Sequence, residues 1–301
     1  MQYKHRVMHK NVICFGEVLW DVFPSQRVAG GAPMNVAIRL QSLGVPAAVI
    51  SKIGKDDPGR ELLSIIQNKA VDTALVQHDE TLPTGEVLVK LNDEGIATYD
   101  IVYPSAWDRI ELNNQNTEAA RNAEAFVFGS LACRDDVSKN TLLALLDVAS
   151  YKIFDVNLRP PFYDTSFVEQ LMNKADFIKL NDEELTVIAR AMGSTTDDLE
   201  ENTRFIAEKT GTNTICVTRG KDGALLFAEG KLYSHSGYVV NVEDTVGSGD
   251  SFLAALINKL LNKEDYKKAL AYACATGAIV ATYKGANPEI SPSEIERLIS
   301  N

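Results

Sequence analysis

Asp250 stands directly after Gly247-Ser248-Gly249 and directly before an apolar run at helical spacing, in the stretch "DTVGSGDSFLAAL". The two glycines free the backbone so that successive N–H groups can face one concavity. A helix starting near Asp250 adds unpaired amides and the positive end of its dipole. Such a concavity suits charge that develops on a phosphoryl group during transfer, where one well-placed donor contributes about 3 kcal/mol. A carboxylate beside it is placed to receive the proton of an attacking hydroxyl. The helix end predicts a lowered pKa for that carboxylate, tolerable when the transition state is loose and the proton leaves late. The plain alternative is that Asp250 only caps its helix.

Other phosphate loops do not fit. The third glycine of a dinucleotide fingerprint is replaced by Phe252, the motif lies far from the first strand, and no Walker A loop occurs.

A second constellation lies near the start, in "AGGAPMNVA". Gly30-Gly31 permits close backbone approach to a ligand, Pro33 suits a helix start, and Asn35 projects from the first turn with a donor and an acceptor. Asp21 follows the first strand, where open α/β sheets gather ligands. An acid and an amide converging on a cleft are what polyol recognition needs; a tight turn with a helix cap is the bland alternative.

The elements that must position these residues alternate. "NVICFG", "AAVISKIG", "AFVFGS", "KIFDVN", "DFIKLN" and "NTICVTRG" read as strands. "APMNVAIRLQSLG", "DPGRELLSIIQNKA", "DDVSKNTLLALLDVAS", "SFVEQLMNKA" and "DDLEENTRFIAEKT" read as helices. Strands alternating with helices predict an α/β fold, a mostly parallel sheet sandwiched by helices. Without a linker-like stretch or repeat, residues 1–301 are expected to form one domain. Two places break the alternation. "WDVFPSQRVAGG" replaces an expected helix, and "TGEVLVKLNDEGIATYDIVYP" reads as a hairpin turning at Asn-Asp-Glu-Gly. Together, about 18–30 and 82–106, they predict a small β-sheet lid; the alternative is two extra edge strands on the main sheet. Asn181, Thr218 and Arg159 each follow a strand, at the ends where such sheets bind ligands. Trp107 either stacks on a ligand ring or packs in the core.

A net charge of −11 over 301 residues argues against a nucleic-acid binder, which needs a basic face. No run reaches the roughly eighteen apolar residues of a membrane helix, and no signal-peptide core follows the basic start, so a cytoplasmic protein is expected. Cys14, Cys133, Cys216 and Cys274 form no C-x-x-C pair and read as buried thiols. His5 and His9 show i, i+4 spacing in a tail without further ligands.

"GGAPMNVA…LG…IGKDDPG" together with "DTVGSGDSF" resembles the two signatures of the PfkB (ribokinase-like) family of carbohydrate kinases, across nearly the whole chain. The first motif is similar to the fructokinase form. The resemblance implies a ribokinase-like fold and an ATP-dependent transfer of the γ-phosphoryl group to a sugar hydroxyl, with Mg2+ required and, in some members, K+. It implies Asp250 as catalytic base, with the amides of Gly247, Ser248 and Gly249 as anion hole. Asp21, Gly30, Gly31, Asn35 and Arg159 would bind the sugar, with Asp155 and Asn157 of "DVNLRP" close by. Asn181, Thr218, Gly220 and Gly223 would lie at the nucleotide, with Asn287 near the adenine. Glu184 would meet Mg2+ through water, and Asp244 would border a monovalent-cation site. Ser248 and Met34 stand where alanine is common. A fructokinase is the expected activity. A 2-keto-3-deoxygluconate kinase or another PfkB sugar kinase is the alternative within the class. A sugar-binding regulatory protein on the same fold and a dinucleotide oxidoreductase are the alternatives outside it. The expected partners are a sugar and ATP, without nucleic acid or membrane, and a second copy paired through the lid.

Overall fold

The computed structural model describes residues 11–91 and 97–300. The first half contains β1 (Val12–Phe15), β2 (Leu19–Val22), β3 (Arg27–Gly30), α1 (Ala32–Ser42), β4 (Ala47–Gly54), α2 (Asp57–Asn68), β5 (Val76–Asp79), β6 (Gly85–Leu91), β7 (Ala97–Ile101), α3 (Asn114–Asn122) and β8 (Ala125–Phe128). There follow α4 (Asp136–Leu146), β9 (Lys152–Asp155), α5 (Thr165–Met172), β10 (Phe177–Asn181), α6 (Asp182–Ala191), α7 (Leu199–Thr210) and β11 (Thr214–Thr218). The chain ends with β12 (Ala224–Ala228), β13 (Lys231–His235), α8 (Ser248–Leu261), α9 (Tyr266–Val280) and α10 (Pro292–Ser300).

A nine-stranded sheet has the order β13-β12-β11-β10-β9-β8-β1-β4-β5. From β11 to β5 every pairing is parallel, as the alternation of strands and helices predicts. The period-2 geometry of β1 explains the sandwich. Val12 and Cys14 face one core, with α1, α8 and α9, while Ile13 and Phe15 face the other, with α4, α5 and α6. Burial on both faces is why these strands read as continuous apolar runs. The antiparallel β12–β13 hairpin at one edge is an addition that strand–helix alternation does not foresee. Its turn residues Glu229 (φ 50°) and Gly230 (φ 75°) both lie in the left-handed region that two-residue hairpins require.

The two interruptions form a second, four-stranded sheet of order β3-β2-β6-β7 instead of edge strands on the main one. β2 and β3 pair antiparallel, β2 and β6 parallel, and β6 and β7 antiparallel. The turn at 92–95, and His5 and His9, lie outside the described residues. All four cysteines are free and buried. Among the described residues, no helix is long and apolar enough to cross a membrane.

Candidate active site

The parallel strand order reverses direction at β1, whose neighbours β4 and β8 lie on opposite sides of it. Open α/β sheets bind ligands at such a switch point, beyond the carboxyl ends of the strands. A narrow crevice opens there, lined among others by Glu17, Pro33, Gly129, Asp155 and Asn157.

α8 starts at Ser248, two residues earlier than expected, with Gly247 as N-cap at φ 73°. A Cβ on Gly247 would lie 2.5 Å from the Ala286 Cα, so only glycine lets this bend press against Ala286. Ser251 N donates to Gly247 O (2.9 Å) and opens the helical ladder. Ser248 N is drawn back onto Thr245 O (3.2 Å), so the Ser248 amide is engaged. The N–H groups of Gly249 and Asp250, in the first turn, bond no acceptor among the described residues. The Ser248 hydroxyl donates to Gly277 O (2.9 Å), tying the bend to α9; an alanine could not.

Asp250 Oδ2 accepts a hydrogen bond from Asn35 Nδ2 (2.8 Å), which joins the two motifs. The pKa of Asp250 is pushed up to about 6, opposite to the expected lowering. Burial among protein atoms dominates and the charge of Asp155 adds to it, against opposing help from Asn35, Lys179 and Arg159. The side chain keeps partial access to solvent. Asn287, expected near the adenine, donates from Nδ2 to Asn35 Oδ1 (2.7 Å) and so stands beside Asn35 and Asp250.

Around this pair, Gly30 lies so close to Asp21 that a Cβ would overlap Asp21 Oδ2. Asp21 is pushed up to about 6 by burial, opposed by Arg159. Glu17, which the sequence motifs do not single out, is 4% exposed and pushed up to about 7, by burial first. Its own backbone amide, Arg159 and, least of these, the amide of Ala32 oppose the shift. Arg159 is exposed and its positive charge acts on Glu17, Asp21 and Asp250 alike. Among the described residues its guanidinium bonds only the carbonyl of Leu158 (3.1 Å). Asn157 adopts φ 39°, a conformation asparagine tolerates better than most residues.

On β9 and β10, Asp155 and Lys179 are register partners, and Lys179 Nζ bonds Asp155 Oδ1 at 2.9 Å. The ammonium lies 3.6 Å from where a Cβ of Gly249 would be, directly against the bend. Burial alone would lower the pKa of Lys179, but Asp155, Glu184 and Asp250 outweigh it and hold it raised. Lys179 also escaped the motif reading. Its signal was a charged residue inside the apolar run "DFIKL", which costs stability unless paired.

Asn181 and Glu184 form a capping box on α6. Asn181 Oδ1 accepts from Glu184 N and Glu184 Oε2 from Asn181 N, both at 2.8 Å. Glu184 Oε1 accepts from Leu158 N (2.7 Å), so both its oxygens are already engaged. Its pKa is raised by burial, with Lys179 opposing. Asn181 is the register partner of Thr218, which puts the two side by side at strand ends. Gly220 and Gly223 bound the turn after Thr218, closed by Arg219 N to Gly223 O (2.8 Å). Asp244 accepts from Val246 N (3.0 Å) and Gly285 N (2.9 Å), stapling the loop before α8 to the turn after α9. Trp107 is fully buried beneath the Arg134 guanidinium, 4.1 Å from its ring centre, and belongs to the core.

A carboxylate hydrogen-bonded at a helix start, next to free amides at the switch point of a parallel sheet, is an arrangement that suits group transfer in an α/β enzyme. Residues 6–293 match the model of the pfkB family carbohydrate kinases, and the chain belongs to that family. It is an ATP-dependent sugar kinase. It is 30% identical over 316 residues to "Probable fructokinase-3" of Arabidopsis thaliana, covering 95% of this chain and 90% of that one. A fructokinase from Xylella fastidiosa with bound ATP shares the fold at a TM-score of 0.84, with 22% identity over 97% of this chain and 99% of that one. A fructokinase from Vibrio cholerae O395, solved with fructose, ADP and a calcium ion, is similar at a TM-score of 0.83 and 25% identity, again covering 97% and 99%. A double mutant of that enzyme was solved with a potassium ion.

Proposed function

We propose that this kinase phosphorylates fructose in the cytoplasm, with Asp250 as the base that takes the proton of the sugar hydroxyl. The observation that carries the base assignment is the Asn35–Asp250 hydrogen bond, which ties the glycine-rich start of α1 to the glycine bend before α8. Asp21, Gly30, Gly31 and Asn35 would hold the sugar hydroxyls, and Asn287 would orient the Asn35 amide. The γ-phosphate would meet the free amides of Gly249 and Asp250, backed by Lys179 and reached by Arg159 from the open side. Such donors stabilise the transferring group most where its charge develops. A pKa of about 6 leaves Asp250 ionised at neutral pH, yet basic enough to accept a proton as the phosphoryl group moves. The nucleotide would extend past Asn181, Thr218, Gly220 and Gly223, its base against the exposed apolar surface of Val239, Val242 and Val246.

Mg2+ keeps several of its own waters and shares phosphate oxygens, so it needs no cage of three protein ligands, and none occurs among the described residues. Asp155, whose buried Oδ2 has no partner, and Glu184 through water would hold it. When bound it would neutralise phosphate charge. Asp244 and the turn at 281–285 would border a potassium ion, and a rise in kcat on replacing an organic cation by K+ is the check.

The four-stranded sheet would act as a lid over the sugar, and its exposed Tyr99 is apolar surface that a second copy would cover. A monomeric mass at micromolar concentration would dispose of that dimer. The substrate assignment is tested by coupled ADP release across fructose, 2-keto-3-deoxygluconate, ribose and nucleosides. Fructose is expected to show the highest kcat/KM; preference for the sugar acid would transfer the assignment to the alternative kinase. Sugar binding without ADP release would leave only a regulatory protein.

A further inference from the structure

Asn35 and Arg39 lie one turn apart on α1, on the same face of the helix. Asn35 makes two connections, to Asp250 and to Asn287. Arg39 repeats both one residue further along each partner segment. Its Nε donates to the Oγ of Ser251 (3.1 Å), the residue after Asp250. Its Nη2 donates to the carbonyl of Pro288 (3.0 Å), the residue after Asn287. Nη1 lies 3.4 Å from Ser42 Oγ within α1. The guanidinium side chain is 1% exposed and has no carboxylate partner among the described residues. A buried cation without a counter-ion costs stability, and burial lowers its pKa to about 10. An apolar side chain of similar volume would fill the same space without that cost. What it could not do is bind the start of α8 and the 286–288 segment to α1 at one point with a planar, fixed fork of donors.

We propose that Arg39 is a positioning residue. It holds Ser251 and Pro288 against α1 so that Asp250 and Asn287 converge on the Asn35 amide, and the carboxylate is aimed at the acceptor hydroxyl. The proposal rests on the reading of Asp250 as the base. Arg39 touches no substrate, so its loss should leave sugar affinity intact and lower the rate of transfer.

The experiment measures kcat and the fructose KM, normalised to fructose-binding sites, for Arg39→Met, Arg39→Lys and Ser251→Ala. The same substitution Arg39→Met is also made in an Asp250→Asn background. Displacing a reacting group by about 1 Å costs up to about 100-fold in rate. Arg39→Met is therefore expected to lower kcat by about 10- to 100-fold with KM within about threefold. Lysine keeps the charge but has no fork and should recover only part of the rate. Ser251→Ala removes one acceptor without touching the arginine and reads the same effect if Arg39→Met does not fold. In the Asp250→Asn background Arg39→Met should add no further loss, because both changes act at one carboxylate. Unchanged turnover per site in Arg39→Lys and Ser251→Ala, with only the melting temperature lowered, would make Arg39 an ordinary core residue and overturn the proposal. A fully additive loss in the double variant would overturn it too. Failure of the base reading itself shows separately, as near-normal kcat in Asp250→Asn alone.

Discussion

At the scale of single residues, the environment of Asp250 works against its helix. A helix N-terminus favours the charged form, yet crowding by protein and the neighbouring charge of Asp155 push the pKa up to about 6. A base must be deprotonated to act, so kcat/KM, which reports the free enzyme, should climb with pH up to about 6 and level off above it. A pH–rate profile flat down to pH 5 would remove Asp250 from the rate-determining proton transfer. Asp250→Asn keeps the hydrogen-bonding shape but cannot take a proton. It should lower kcat by about 10²- to 10⁴-fold while fructose binding, followed calorimetrically, stays within about threefold. The sign of the pKa shift was not legible in "DTVGSGDSF". It depends first on burial among segments distant in the chain, and then on Asp155 arriving at the same place.

At the scale of elements, the site is made where helices begin. Gly247 gives α8 its left-handed cap and lets Ala286 pack against it. Gly247→Ala adds a Cβ in a strained conformation and in contact with backbone, so the bend or the segment around Ala286 has to move. Loss of a well-aimed oxyanion donor costs about 3 kcal/mol, and kcat should fall at least tenfold. Unchanged kcat would show that the bend does not hold the transferring group.

Glu17 lines the crevice beside Ala32 and Pro33 at the start of α1. This carboxylate is held at about 7, against an ordinary value of 4.5. Between those pH values the unfolded chain releases the proton and the folded chain keeps it. The contribution of Glu17 to stability therefore falls as pH rises through that window and is constant above it, by about 3 kcal/mol at most. Glu17→Gln keeps the shape and a hydrogen-bond acceptor but cannot ionise. Relative to the parent, the variant should gain stability in urea unfolding between pH 5 and pH 8, and an unchanged difference would refute the assignment. Glu17 was hidden in the sequence because "FGEVLW" resembles a strand end, and its burial is made by segments distant in the chain.

At the scale of the whole molecule, the two sheets are expected to respond differently to ligands. The nine-stranded sheet is clamped between two buried apolar layers, whereas the four-stranded sheet exposes Tyr99 and Asp100 on β7. With fructose and a non-hydrolysable ATP analogue bound, amide exchange in β2, β6 and β7 should slow markedly, while exchange in β8 to β10 should change little. Equal protection of both sheets, or of neither, would argue against a lid.

Local pattern alone was enough to identify the layered α/β architecture, since strands buried on both faces are recognisably apolar and helices recognisably periodic. It also located the two glycine motifs, because a left-handed bend and a close backbone approach admit little else. Tertiary structure alone decided three things: that Asn287 hydrogen-bonds Asn35, that both oxygens of Glu184 are engaged by backbone amides, and that Lys179 lies under the bend. Each of these depends on which strands and loops become neighbours across the sheet. That choice is made by packing between distant segments, and no short stretch of chain encodes it.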